Sequence, residues 1–161
     1  MASGNDLPPG YTLRTGYPTI PAYRQLRVLG KLSAMSEEQS RRAHAGSWHG
    51  YYITYTPPTS SETITIEEEF ASGEGDIVGM GRLIGDGGWY FCVADIAVHP
   101  SHRRKGLGDV IVKALLQYIK ENAPEKAFVT LSADPPGVGV YKRNGFQIMA
   151  DRNLTGMYMV T

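Results

Sequence analysis

Val98-His99-Pro100-Ser101-His102-Arg103-Arg104-Lys105-Gly106-Leu107-Gly108-Asp109-Val110-Ile111 joins a β-rich run to a long amphipathic helix. The run from Trp89 to Val98 ends in a turn, and Gly106 and Gly108 open the helix. Amides at a helix start have no intrahelical acceptor, and the helix dipole places partial positive charge there. Glycine puts no side chain in the way of an anion, so the backbone donors can close around a pyrophosphate. Arg103, Arg104 and Lys105 add formal charge at the same spot. The plain alternative is a solvated basic turn that caps a helix. The stretch reads as an anion cradle for a phosphorylated cofactor.

Spacing narrows the kind of cradle. A P-loop needs four residues between its first glycine and a Gly-Lys-Ser/Thr, which this stretch lacks. A dinucleotide fingerprint needs a third glycine, and Ile111 stands there. What remains is Arg103-x-x-Gly106-x-Gly108 after a strand ending Asp95-Ile96-Ala97-Val98-His99-Pro100. That pattern resembles the acetyl-coenzyme A signature of the GNAT superfamily of N-acetyltransferases, Gln/Arg-x-x-Gly-x-Gly/Ala.

Composition removes several other classes. The chain has 161 residues, enough for one domain with a proper core. Sixteen basic and sixteen acidic side chains cancel, so nothing electrostatic favours nucleic acid. The single cysteine, Cys92, excludes an internal disulfide and fits a reducing compartment. Within an aromatic-rich strand it reads as a small buried hydrophobe rather than a nucleophile. No apolar run is long enough to span a membrane, and the first residues lack a basic, apolar leader. The expectation is a soluble cytoplasmic protein without metal, with the nucleus and a homodimer left open.

Along the chain, Tyr11–Thr15 reads as a strand after Pro8-Pro9-Gly10, and a helix follows from about Ile20. Ser36-Glu37-Glu38-Gln39 fits a capping box that opens a second short helix. Tyr51–Tyr55 is strand-like, and Glu62–Phe70 resumes that pattern inside a loop placed between Thr56 and Gly75. Ile77–Ile84 and Trp89–Val98 flank Gly85-Asp86-Gly87-Gly88, a hairpin turn. The helix after the cradle should run to about Asn122 and stop at Ala123-Pro124. Ala127–Ala133 reads as a strand, Pro135-Pro136-Gly137 as the entry to a short helix, and Phe146–Met149 with Gly156–Val160 as a terminal hairpin.

Strand, two helices, three antiparallel strands, helix, strand, helix, hairpin is the element order of the GNAT fold. The expected fold is therefore α+β in three layers over a single domain, 1–161. Its central sheet would be mixed and mostly antiparallel, flanked by helices, with a splayed central strand pair. Tyr141-Lys142-Arg143-Asn144-Gly145-Phe146 adds a second resemblance, to the family's Tyr-x-x-x-Gly-Phe segment.

The resemblance implies roles for residues. The cofactor's pantetheine arm would pair with the freed strand edge near Ile96, Ala97 and Val98. Its phosphates would meet Arg103, Arg104, Lys105, Gly106, Leu107, Gly108 and Asp109. Tyr141 matches the usual proton donor to the departing thiolate and so also borders the cofactor. Asp134 stands where many relatives carry an asparagine that fixes the cofactor or the tyrosine helix. Asp95 is a carboxylate in an apolar strand, which needs either a partner or a raised pKa. It matches an aspartate in the plant-type serotonin and the glucosamine-6-phosphate N-acetyltransferases, as a base or as a structural anchor. The glutamate that precedes it in the amino-sugar enzymes is Ala94 here. His99 and His102 would meet phosphate or solvent.

The acceptor site should lie across the splayed strands, with Tyr23, Met80, Trp89, Phe91, Tyr158 and Met159 as candidate lining. An aromatic and methionine lining suits a small primary amine such as an arylalkylamine, and ordinary core packing explains the same residues. A protein-lysine or N-terminal acetyltransferase and a non-catalytic acyl-coenzyme A-binding module are the alternatives.

Overall fold

A computed structural model describes residues 7–58 and 75–160. The expected strand at Glu62–Phe70 lies outside the described residues. Two compact units divide the chain, Met1–Leu131 and Ser132–Thr161.

The first unit holds a five-stranded sheet in sequence order: β1 (Tyr11–Thr15), β2 (His49–Tyr55), β3 (Asp76–Gly85), β4 (Tyr90–Val98) and β5 (Phe128–Thr130). The first four are antiparallel to their neighbours, and β5 runs parallel to β4. This is the mixed, mostly antiparallel sheet expected from the sequence. Asp86 makes the β3–β4 turn by accepting the amides of Gly88, Trp89 and Tyr90 on one oxygen.

Helices α1 (Ile20–Leu29) and α2 (Glu37–Ala45) connect β1 to β2, and α3 (Leu107–Asn122) connects β4 to β5. The capping box forms as expected, with Ser36 Oγ accepting the Gln39 amide and Gln39 returning the bond. On one sheet face, Ile111, Val112 and Leu115 of α3 are fully buried; at Gly79 and Gly81 an added Cβ would touch Ile111. The other face packs Met80 and Ala97 against Tyr23 and Leu26 of α1. Burying a side chain of this size contributes roughly 1.5–3 kcal/mol, so α3 is held by its apolar stripe rather than by propensity.

β5 departs from expectation by covering only Phe128–Thr130, and it pairs with β4 only at Tyr90–Cys92. Beyond Cys92 no strand among the described residues covers the outer edge of β4.

The second unit contains a 3-10 turn at Pro135–Gly137, α4 (Val138–Arg143) and a second 3-10 turn at Met149–Arg152. The expected hairpin of Phe146–Met149 with Gly156–Val160 does not form. Met149–Arg152 coils and ends at Asn153 in the left-handed region, while Met157, Tyr158, Met159 and Val160 are 82–95% exposed. A lone two-stranded ribbon is marginal in water, so strand propensity alone does not pair these segments.

Candidate active site

The stretch from β4 to α3 forms the turn and helix start expected to cradle an anion. Val98 ends the strand, Pro100–His102 forms a 3-10 turn, and Arg104 and Gly106 take left-handed backbone conformations (φ 60° and 77°). Gly106 is the N-cap of α3, and the first intrahelical bond runs from the Val110 amide to the Gly106 carbonyl. A Cβ on Gly106 would meet nothing within 4 Å, and one on Gly108 only Val98, at 3.9 Å. The chain's own packing therefore does not demand glycine at 108. What the missing side chains leave is open approach to the helix N-terminus, which suits a pyrophosphate.

The basic residues divide by role. Arg103 donates to the carbonyls of Val98 (3.3 Å) and Leu29 (2.9 Å), so it ties the loop to α1. Lys105 lies over the Tyr11 ring, 5.6 Å from its centre. Arg104 and Lys105 are exposed in the turn before α3. Asp109 pairs with Lys113 across one helical turn. His102 Nδ1 sits 2.8 Å from the Tyr11 hydroxyl, and His99 Nδ1 accepts the Ser101 amide. Both histidines are thus engaged in building the loop.

On the free edge of β4, the His99 amide crosses to Val78 of β3 while the Val98 carbonyl takes Arg103 instead. Strand alternation then turns the Val98 peptide groups toward the edge that β5 leaves. Splayed strands are what the sequence led us to expect here.

Asp95 sits in a β-bulge. Arg82 pairs with Ala94 and Met80 with Ala97, so Asp95 and Ile96 together oppose Gly81. Asp95 has φ 57°, in the left-handed region. The extra residue turns Ile96 toward α3, where a Cβ on Gly81 would lie 2.5 Å from it. The Asp95 carboxylate instead meets the α1 side. Arg27 and Arg82 each approach it at 2.5 Å, and the Tyr23 hydroxyl donates to it. Burial would push this carboxyl up, but the Tyr23 hydrogen bond and the two guanidiniums outweigh it and hold the pKa below the usual value. Of the two options that the sequence posed for Asp95, a partner or a raised pKa, the structure provides the partner.

In the second unit, Tyr141 lies on α4 with its ring edge-on to Phe146 at 5.9 Å. A Cβ on Gly137 would lie 3.1 Å from the Tyr141 ring. Burial, and secondly the charge of Asp134, push its phenol above the usual value. Asp134 precedes the Pro135–Gly137 turn without capping it through its side chain.

Within the first unit, the residues expected to line the acceptor site lie apart. Tyr23 and Met80 are nearly fully buried together in the α1-side core. Phe91 is on the opposite sheet face, its ring tilted against Trp48, which also touches Tyr118 of α3. Trp89 is half-exposed at the β3–β4 turn and donates to the Lys126 carbonyl. Tyr158 and Met159 stand exposed in the second unit. Sequence reasoning overlooked Arg27 and Arg82 as partners of Asp95. The signal was present: Arg82 interrupts one apolar strand as Asp95 interrupts its neighbour.

An acetyltransferase (GNAT) domain matches residues 60–148 of this sequence. The chain belongs to the GNAT acetyltransferase family. A Staphylococcus aureus protein, SA2161, shares the fold with TM-score 0.77 and 26% identity, over 94% of this chain and 99% of that one. Glucosamine-6-phosphate N-acetyltransferase of Arabidopsis thaliana is alike in fold alone, with TM-score 0.56 and 16% identity, over 94% and 97% of the two chains. Among curated relatives, the ycf52 N-acetyltransferase of Pyropia yezoensis is 34% identical over 70 residues, 44% of this chain. The chloroplastic serotonin N-acetyltransferase 2 of Oryza sativa is 31% identical over 91 residues, 56% of this chain. The matches span 39% and 44% of those two relatives' lengths. In this GNAT chain no helix among the described residues is long and apolar enough to cross a membrane.

Proposed function

We propose that this protein transfers the acetyl group of acetyl-coenzyme A to a primary amine of a small molecule. The observation that carries the reading is the uncovered edge of β4 beyond Cys92, which leads directly into the open N-terminus of α3. An acetyl thioester supplies the activated acyl group. In this reading Gly106, Leu107 and Gly108 hold the pyrophosphate through their amides, and Arg104 and Lys105 neutralise it. Ile96, Ala97 and Val98 offer the strand edge to the pantetheine arm. Arg103 acts on the loop's shape rather than on phosphate.

Overall, the amine nitrogen forms a bond to the acyl carbon and loses a proton, the carbon–sulfur bond breaks, and the sulfur gains a proton. Tyr141 is the group assigned to give that proton from its Oη, and a raised phenol pKa keeps it protonated for the task. Asp95, already bound by three donors, is better suited to holding structure than to taking a proton from the ammonium.

Similarity to the rice serotonin enzyme supports an arylalkylamine as the first acceptor to try. The dispersal of Tyr23, Met80, Trp89 and Phe91 removes their joint support for it. A thiol-release screen with acetyl-coenzyme A should compare arylalkylamines, polyamines, amino sugars, amino acids and lysine peptides at matched concentration. Turnover of a small amine is the expected result. Preference for lysine peptides over every small amine would overturn the substrate reading, and absence of acetyl-coenzyme A binding would overturn the activity.

A further inference from the structure

Three features meet at Asp95. Its left-handed backbone is disfavoured for residues other than glycine, although aspartate and asparagine tolerate it better than most. Its side chain emerges on the α1 face, because the bulge adds one residue to the alternation of β4. There each carboxylate oxygen is occupied, Oδ1 by Arg27, and Oδ2 by Arg82 and the Tyr23 hydroxyl. The second arginine contacts are equally specific: Arg27 also donates to the Ser33 carbonyl, and Arg82 to Ser47 Oγ. Donors from α1 and β3 therefore converge on the one residue that defines the bulge, and Arg82 is itself held by Ser47 of the α2–β2 connection. The bulge lies in the part of β4 that β5 leaves uncovered.

We infer that Tyr23, Arg27 and Arg82 are positioning residues: through Asp95 they hold the β4 bulge, and with it the adjacent Ile96–Val98 edge, in the geometry that seats the acyl end of an acyl-thioester cofactor. The inference rests on the acetyl-coenzyme A reading above. A depressed carboxyl pKa keeps Asp95 charged and attractive to both guanidiniums throughout the neutral range. An uncovered strand edge without such a tether would lose its register easily, since a one-residue slip reverses every side chain. Gly81 opposite the bulge supplies the space for Ile96 that the arrangement requires.

The test compares Asp95→Asn, Asp95→Gly and Asp95→Ala with the wild type in two measurements. One is calorimetric affinity for acetyl-coenzyme A relative to free coenzyme A. The other is hydrogen-exchange protection of Ile96–Val98 on adding acetyl-coenzyme A. Asparagine keeps an acceptor and tolerates the left-handed backbone, so it should stay nearest to the wild type. Glycine loses the tether but fits the backbone, whereas alanine loses both. The alanine protein should therefore lose about tenfold of any preference for the acetylated cofactor, and glycine less, as expected for a strained backbone released. A general base would instead show as lost turnover with cofactor preference and edge protection unchanged in all three variants, and that result overturns the inference. If the alanine protein does not fold, Arg82→Lys replaces it, with reduced protection of Ile96–Val98 expected. A purely structural role would lower Tm in these variants while cofactor preference and edge protection stay at wild-type levels, and that result overturns the inference. A wild-type protein that fails to bind acetyl-coenzyme A overturns the reading beneath it, and this one too.

Discussion

Arg27 Nη1 of α1 lies 2.5 Å from Asp95 Oδ1 of β4, joining residues 68 apart in the chain, with side chains only 7% and 11% exposed. Arg82 completes the pair from the neighbouring strand. Removing one partner of a buried ion pair leaves charge uncompensated, at a cost of about 3–5 kcal/mol. Arg27 still faces Asp95 in Arg82→Met, so that variant should lower the unfolding free energy by less than this, about 1–3 kcal/mol, in urea titration. The exposed Arg42–Glu38 pair is the control, since Arg42→Met should change stability by less than about 1 kcal/mol.

The same cluster sets an acid limit. A carboxyl whose folded pKa is depressed binds its proton more readily when unfolded, so it adds stability above its unfolded pKa. That contribution disappears as pH falls from about 4 through the lower folded value. Asp95→Asn should be less stable than the wild type at neutral pH, and the gap should narrow below pH of about 4 in acid-unfolding curves.

Gly106 and Gly108 should separate folding from binding. An alanine at 108 finds room in a helix and should raise stability by roughly 0.5–1 kcal/mol. The signature that this stretch resembles takes alanine here as well as glycine, so acetyl-coenzyme A affinity should hold. Gly106→Ala should cost about 1–2 kcal/mol through its positive φ alone, because its Cβ meets nothing. Calorimetric titration and thermal unfolding of the two variants check both halves.

Tyr141→Phe keeps the ring beside Phe146 and removes the phenolic proton. If this hydroxyl protonates the thiolate, kcat should fall roughly 10²–10³-fold with cofactor affinity unchanged. Equal kcat with chemistry rate-limiting would assign the ring to packing.

His44 and His49 both have lowered pKa values, caused first by burial and, for His44, also by Arg82. Their Nε2 atoms are buried without a hydrogen-bond partner among the described residues. The fold thus prefers neutral rings, and their contribution is complete above the unfolded pKa. It should decline as pH falls below about 6.5, so Tm should drop from pH 7 to pH 5. The drop should be smaller in His44→Asn and His49→Asn.

Much of the scaffold was legible because its signals are local. The capping box at Ser36, the α3 boundaries at Gly106 and Ala123, and the Asp86 turn each depend on residues within a few positions. The terminal hairpin was not legible, because strand propensity at Met157–Val160 says nothing about whether a partner surface exists. How the candidate acceptor residues lie in the sheet was not legible for a similar reason. Alternation along one strand cannot show that Met80 and Phe91 end on opposite faces of the sheet.

What the sequence by itself determined is the turn and helix start around Gly106: glycine, charge and helix start lie within one short stretch, and their chemistry is local. Where Asp95 points was decided only by the tertiary structure. Simple alternation places it with Val93 beneath α3, and a single extra residue opposite Gly81 turns it to the other face. Its partners come from α1 and β3, and only long-range strand register brings them to one carboxylate.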